Sequence, residues 1–240
     1  MTRRIIILLI LVIYLNSSFG QFFEGQIEYV SSYLNKTTLK PLLADIPETV
    51  TIKGGKYKIY IPNAQGGQLE WKIDNFYDGN TFSRKSYKNS SYPVSDKEPV
   101  ISNDGTLTFP KSDSPVVASI MKGKLCGNFI DTSRRFVKLD TTVTINNLSC
   151  SVVIEYTNGS PSAEYYCYSK IKLDPTLYNC QRNDGLDNIY RYTAGSLIAQ
   201  LVLYDEAFIY IYQVQNIKAI SVSDSEFDIP KGIKIEEMQN

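Results

Sequence analysis

Polar and apolar positions alternate with a period of two along most of this chain, the pattern of strands with one face on a core and one in water. Residues 26–32 (QIEYVSS) set Ile27 and Tyr29 on one face. Residues 49–53 and 56–61 flank Gly54-Gly55 and predict a hairpin. Residues 68–77 (QLEWKIDNFY) set Leu69, Trp71 and Ile73 on one face and Glu70, Lys72 and Asp74 on the other. Asp78-Gly79 turns that strand into another over 81–87, and Asp104-Gly105 introduces a short one over 106–109. Residues 196–204 and 207–214 (AFIYIYQV), joined at Asp205-Glu206, form a further hairpin. Both faces of AFIYIYQV are apolar or aromatic, which predicts a strand covered on both sides.

Helix signals are few. Residues 38–45 predict a short helix or a loop interrupted by Pro41. Residues 114–122 (SPVVASIMK) predict a helix, with a serine cap and Pro115 at the first helical position. Residues 88–104 are polar, hold two prolines and predict a loop. The expected class is mainly β, with a minor α component.

The strongest local signal is the run CSVVIEYTNGSPSAEYYC over 150–167. Asn158-Gly159 at its centre predicts a two-residue hairpin turn. Folding the arms symmetrically pairs Thr157 with Ser160 and sets Cys150 opposite Cys167 as a non-hydrogen-bonded pair. Such pairs have Cα atoms about 4.5 Å apart, within disulfide range. A Cys150–Cys167 bridge is therefore expected, leaving Cys126–Cys180 by elimination; Cys150 or Cys167 bonding Cys180 stands as the alternative. No CxxC occurs among the four cysteines, which favours structural bridging over redox chemistry.

The N-terminus adds a compartment. Arg3-Arg4 precede an apolar run of 11 residues (IIILLILVIYL), and Ser18 and Gly20 provide a small-residue cleavage site. Residues 1–20 read as a secretory signal peptide, too short in its apolar run to span a bilayer. No cysteine precedes Cys126, so no lipobox is present and the mature chain is expected in the periplasm or secreted, without a transmembrane anchor. Cleavage leaves 220 residues, 21–240, of a size suited to a single domain. It leaves 23 basic against 25 acidic side chains. That near balance argues against nucleic acid as a partner.

The chain contains no histidine. Ser-His-Asp and Cys-His hydrolase sites and the common zinc sites are thereby excluded. No P-loop, GxGxxG or GxSxG motif is present, so no cofactor and no metal is expected. Asp224, Glu226 and Asp228 alternate near the end, and a strand there would place all three on one solvated face. A glycan hydrolase working through paired carboxylates is the least favoured reading.

Several segments in order resemble one family. FFEGQIEYV is similar to the opening F-x-G-x-I-x-Y strand of exported Bacteroidetes proteins of the GLPGLI type and their LolA-like relatives. TVTINNLSCSVVIEY, YYCYSKIKLDPTLYN, YTAGSLIAQLVLY and SDSEFDIPKGIKI resemble later strands and the S-x-F-x-I-P-x-G-Y ending. Cys167 stands where the family often has Trp, Asn147 where it prefers Gly, and the segment 193–197 lacks the proline of the GLPGLI signature. The resemblance implies a strongly curved antiparallel sheet, a LolA-like half-open β-barrel with a few short helices on its concave side. It further implies a non-enzymatic envelope protein that holds a lipid or other apolar ligand in that concavity, or else a structural interaction module without ligand. Its partners would be a lipid, a lipoprotein or an envelope protein. Ile27, Tyr29, Leu69, Trp71, Ile73, Phe208, Tyr210 and Tyr212 are the candidate lining residues.

Overall fold

Most of the alternating segments join one large sheet. The computed structural model describes residues 22–62, 69–76, 81–89, 100–101, 107–108, 118–124, 133–178, 186–228 and 235–238. The leader expected over 1–20, together with Cys126 and Cys180, lies outside them. The strands are β1 (Gly25–Asn35), β2 (Ile46–Lys53), β3 (Lys56–Pro62), β4 (Leu69–Phe76), β5 (Thr81–Asn89), β6 (Val100–Ile101) and β7 (Leu107–Thr108). They continue as β8 (Ala118–Lys124), β9 (Arg134–Ile145), β10 (Leu148–Thr157), β11 (Ser160–Lys172), β12 (Ser196–Tyr204), β13 (Phe208–Ala219) and β14 (Ile235–Met238). Two short helices, α1 (Pro175–Tyr178) and α2 (Asp187–Tyr192), and a 3₁₀ turn (Asp224–Phe227) complete the described elements.

Twelve strands form one sheet in the order β14-β8-β5-β4-β3-β2-β1-β13-β12-β11-β10-β9, and β6 and β7 pair separately. All neighbours are antiparallel except β14 and β8. The sheet is open, not closed into a barrel. Strands adjacent in sequence and antiparallel in the sheet run from β2 to β5 on one side and from β9 to β13 on the other, with the helical segment inserted between β11 and β12. The first strand lies between them and joins the two halves, pairing with β2 along one edge and with β13 along the other. This position explains its burial: Gly25, Ile27, Tyr29 and Ser31 alternate as buried residues with half-buried neighbours.

The core collects on the face that carries Ile27 and Tyr29. It includes Ile52, Tyr57, Tyr165, Leu201 and Val214 from the sheet, with Leu177, Tyr178, Ile189 and Tyr190 from the helical segment laid against it. Gly195 allows that segment to return to the sheet. Its φ of +72° follows Ala194 at +50°, and its N–H caps the helix on the Tyr190 carbonyl at 2.7 Å. A Cβ there would meet the Leu173 carbonyl oxygen and the Tyr178 ring, each at 2.9 Å. On the opposite face the segment after β13 straps across β2 and β3. Phe227 and Val222 form a second small core there, and Lys58, 6% exposed, reaches Glu226 at 3.1 Å.

Several expectations hold. The Gly54-Gly55 hairpin and the β12–β13 hairpin form as read. Asn158 and Gly159 take φ of +52° and +84°, and Thr157 pairs with Ser160.

Others do not hold. Residues 118–124 form a strand paired with β5, not part of a helix; partner strands on both sides outweigh the local Ser-Pro start signal. Within 88–104, Lys88 and Asn89 end β5 and Val100–Ile101 pairs with β7, so part of the expected loop is strand. Of the two readings offered for 38–45, the loop is the one that forms, with a single bridge from Leu34 to Pro41. Phe208 to Gln213 are only half-buried, so the cover expected on both faces is complete only at Val214.

The Cys150–Cys167 bridge is also overturned. Tyr156 pairs with Pro161 but Glu155 with Ala163, which leaves Ser162 as an extra residue. Proline cannot donate to a ladder and is accommodated at bulges. The Ser162 hydroxyl secures this one, donating to the Glu155 carbonyl at 3.3 Å and lying 2.9 Å from the Thr157 hydroxyl. Beyond the bulge the register is shifted by one, so Cys167 faces Ser151 and both thiols are free and buried.

Candidate functional site

The aromatic side chains of β1 and β13 build one continuous row. Beyond the bulge between Glu28 and Tyr29, Ser31 lies opposite Tyr212, Tyr33 opposite Tyr210 and Asn35 opposite Phe208. Residues opposite one another share a face, so every second residue of both strands projects on the Tyr29 side. The Tyr29 and Tyr212 rings stack with centroids 4.2 Å apart. Tyr212 lies near-parallel to Tyr210 at 6.3 Å, Tyr210 tilts against Tyr33 at 5.0 Å, and Tyr33 against Phe208 at 5.6 Å.

Burial falls along this row. Tyr29 is 5% exposed and donates its hydroxyl to the Ile198 carbonyl at 3.1 Å, so it belongs to the core. Tyr33, Phe208, Tyr210 and Tyr212 are half-buried, and Leu203, opposite Tyr210 on the same face, is exposed. Of the expected lining residues, Ile27 and Tyr29 pack inside the core under the helical segment, whereas Phe208, Tyr210 and Tyr212 form the partly open end. Leu69, Trp71 and Ile73 occupy alternate positions of β4.

A carboxylate stands within this row. Glu48 of β2 lies opposite Tyr29. Ser31, 2% exposed, donates to Glu48 Oε1 at 2.7 Å and lies 3.0 Å from the Tyr210 hydroxyl. Because the single serine proton is directed to Glu48, the Tyr210 hydroxyl donates to Ser31, giving a relay Tyr210–Ser31–Glu48. Burial holds the phenols of Tyr29, Tyr33, Tyr210 and Tyr212 above their ordinary range, and the negative charge of Glu48 raises each further. Glu48, Ser31 and Tyr33 escaped the sequence reading. The available signal was IPETVTI over 46–52, in which Glu48 takes the place of an apolar residue on the face of Ile46, Val50 and Ile52.

Other described polar side chains form pairs within the fold. Glu155, 4% exposed, accepts from the Tyr165 hydroxyl at 2.7 Å and pairs with Arg134 at 3.4 Å. Asp224, Glu226 and Asp228 do not share a strand. The first two lie on the exposed 3₁₀ turn, where Asp224 meets Lys56 at 2.8 Å and Lys53 at 3.4 Å, and Glu226 meets Lys58. Lys56 beside it holds the Asp224 carboxyl below its ordinary range. Burial pushes the thiols of Cys150 and Cys167 up to about 11 and about 12, which keeps them protonated and unreactive near neutral pH. Among the described residues no three His, Cys, Asp or Glu side chains converge as a metal site, and no helix is long and apolar enough to cross a membrane. The chain matches no protein-family model and no curated protein.

Proposed function

We propose that this chain is an exported, non-enzymatic binding protein of the cell envelope that holds an apolar ligand against the open end of its aromatic row. The observation that carries the reading is the half-exposed set Tyr33, Phe208, Tyr210 and Tyr212, next to the exposed Leu203. Rings serving only as core would be covered as Tyr29 is, and contiguous exposed apolar surface marks interaction sites. Export rests on the N-terminal leader alone, since the Cys150–Cys167 bridge no longer argues for an oxidising compartment. The resemblance to GLPGLI-type proteins agrees with this reading.

Lipids extracted from natively purified mature chain and identified by mass spectrometry test the proposal, alongside titration with an environment-sensitive apolar dye. A co-purifying apolar molecule, and dye binding weakened by Phe208→Ser with the fold retained by circular dichroism, is the expected result. No extracted ligand, together with dye binding unchanged by that substitution, would overturn it.

A second reading, an interaction module without ligand, draws on β9. This strand of 12 residues ends the sheet and is largely exposed from Asp140 onward. Sheet edges of that length are templates for an added strand.

A further inference from the structure

We propose that the outer face of the β2–β3 hairpin is a docking site for an acidic, extended peptide segment with one aromatic anchor, and that the strap beyond β13 occupies this site in cis. The site lies on the side of the sheet opposite the aromatic row, so the inference goes beyond the proposed ligand and does not depend on it.

Three observations carry it. First, the hairpin gathers like charges. The run KGGKYK turns at Gly54-Gly55 and sets Lys53 directly opposite Lys56. Lys58 follows two residues along β3, so three ammonium groups share the face turned away from the buried Ile52 and Tyr57. Like charges directly opposite one another destabilise a strand pair, and an anion laid across them removes that cost.

Second, the strap supplies the anion in a spaced pattern. Asp224 meets Lys56 at 2.8 Å and Lys53 at 3.4 Å, and Glu226 meets Lys58 at 3.1 Å. Phe227 beside it is 2% exposed, and the Lys56 ammonium lies 5.8 Å from its ring centroid. The strap main chain is held as well. Lys53 Nζ donates to the Val222 carbonyl at 2.8 Å, and the Val222 N–H donates to Glu24 Oε1 at 2.8 Å. Carboxylates two residues apart, an aromatic next to the second and an extended lead-in are thus what this face recognises.

Third, the cover is light. Of residues 220–228 only Val222 and Phe227 are buried, and the Asp224 and Glu226 side chains are exposed. Exposed ion pairs add little stability, and segments with few buried contacts open locally. A segment of the same chemistry on a partner protein takes the site when the strap is off. A phosphate polymer would neutralise the lysines but leave the apolar seat of Val222 and Phe227 uncovered, whereas an acidic peptide with an aromatic anchor satisfies both.

The test titrates a fluorescent peptide of residues 220–230 (ISVSDSEFDIP) into the mature chain and follows anisotropy. The peptide is expected to bind the Phe227→Ala chain, whose strap has lost its anchor, about tenfold or more tightly than the unaltered chain, since a closed strap lowers the fraction of competent sites. Peptides carrying Phe227→Ala, or Asp224→Asn with Glu226→Gln, are expected to bind weakly. Asp224→Asn with Glu226→Gln in the full chain, both on the exposed turn, gives a second opened chain should Phe227→Ala unfold. No binding to an opened chain, or equal binding of a scrambled peptide of the same composition, overturns the inference. Tighter binding of an oligothymidylate overturns it too and assigns the lysines to phosphate polymers. A strap that protease reaches in neither variant also overturns it, because a site that never opens takes no partner. The reading of the aromatic row stands whichever result is found.

Discussion

Replacing Gly25 by alanine separates two costs that the fold imposes on its central strand. Gly25 sits in β1 between Ile52 and Ala219 with φ of +150°, a conformation that side chains rarely adopt. A Cβ there would lie 2.1 Å from the Lys218 carbonyl oxygen and 3.0 Å from the Phe23 ring. The first contact is with backbone, so no rotamer change relieves it. Backbone strain of this kind costs about 1–3 kcal/mol, and overpacking a tight site adds about 1–3 kcal/mol. The expected loss is therefore about 2–6 kcal/mol, a large part of the stability of an ordinary domain. At about 2–4 °C per kcal/mol for this chain length, Gly25→Ala is expected to lower the thermal midpoint by roughly 4–24 °C. Gly54→Ala is the matched comparison. Its φ is also positive, at +52°, but nothing lies within 4 Å of the added methyl. It bears only the left-handed backbone cost of about 1–2 kcal/mol. Urea unfolding and differential scanning calorimetry of both variants read the difference. A Gly25→Ala midpoint no lower than that of Gly54→Ala would refute the reasoning.

Three further outcomes are expected. Burial raises the pKa of Cys150, Cys167 and Tyr166 to about 11, about 12 and about 12. The folded chain thus retains protons that the unfolded chain releases above about pH 8.5 for thiols and about 10 for phenols, and stability is full below that range and declines as pH rises toward 12. Urea midpoints measured from pH 7 to 11 check this, with native thiol labelling at pH 8 expected to be slow; a flat profile with fast labelling would contradict it. Glu155→Ala strands the Tyr165 hydroxyl and is expected to cost about 1–3 kcal/mol, whereas Glu155→Gln keeps an acceptor and costs less; equal losses in denaturation would show that the Tyr165 bond contributes nothing. Phe227→Ala removes the 2% exposed anchor of the strap beyond β13 and is expected to open residues 220–228 to protease while the rest of the sheet stays folded, since regions with few buried contacts open locally. Unchanged digestion would show that the lysine pairs with Asp224 and Glu226 hold the strap without it.

Much of this fold was legible because its signals are local. Alternation in QIEYVSS set Ile27 and Tyr29 on one face, and the paired strands confirm it. Asn158-Gly159 specified its turn because few residues accept positive φ at two consecutive positions. Where competing signals met, local reading failed. Ser114-Pro115 resembles a helix start, yet β5 and β14 claim residues 118–124. Symmetric counting aligned Cys150 with Cys167, yet Pro161 and Ser162 inserted one residue and turned the pair out of register. The period of a strand is two, so a single extra residue exchanges which partners face each other.

The sequence by itself determined a mainly β chain, many of its strands and the inward side of β1, because periodicity and turn chemistry act over a few residues. Only the tertiary structure decided that Glu48 and Ser31 meet Tyr210 and Tyr212, more than 160 residues later in the chain. Nothing local encodes that meeting; it follows from the pairing of β1 with β13, where burial of the shared face outweighs the entropy of closing so long a loop.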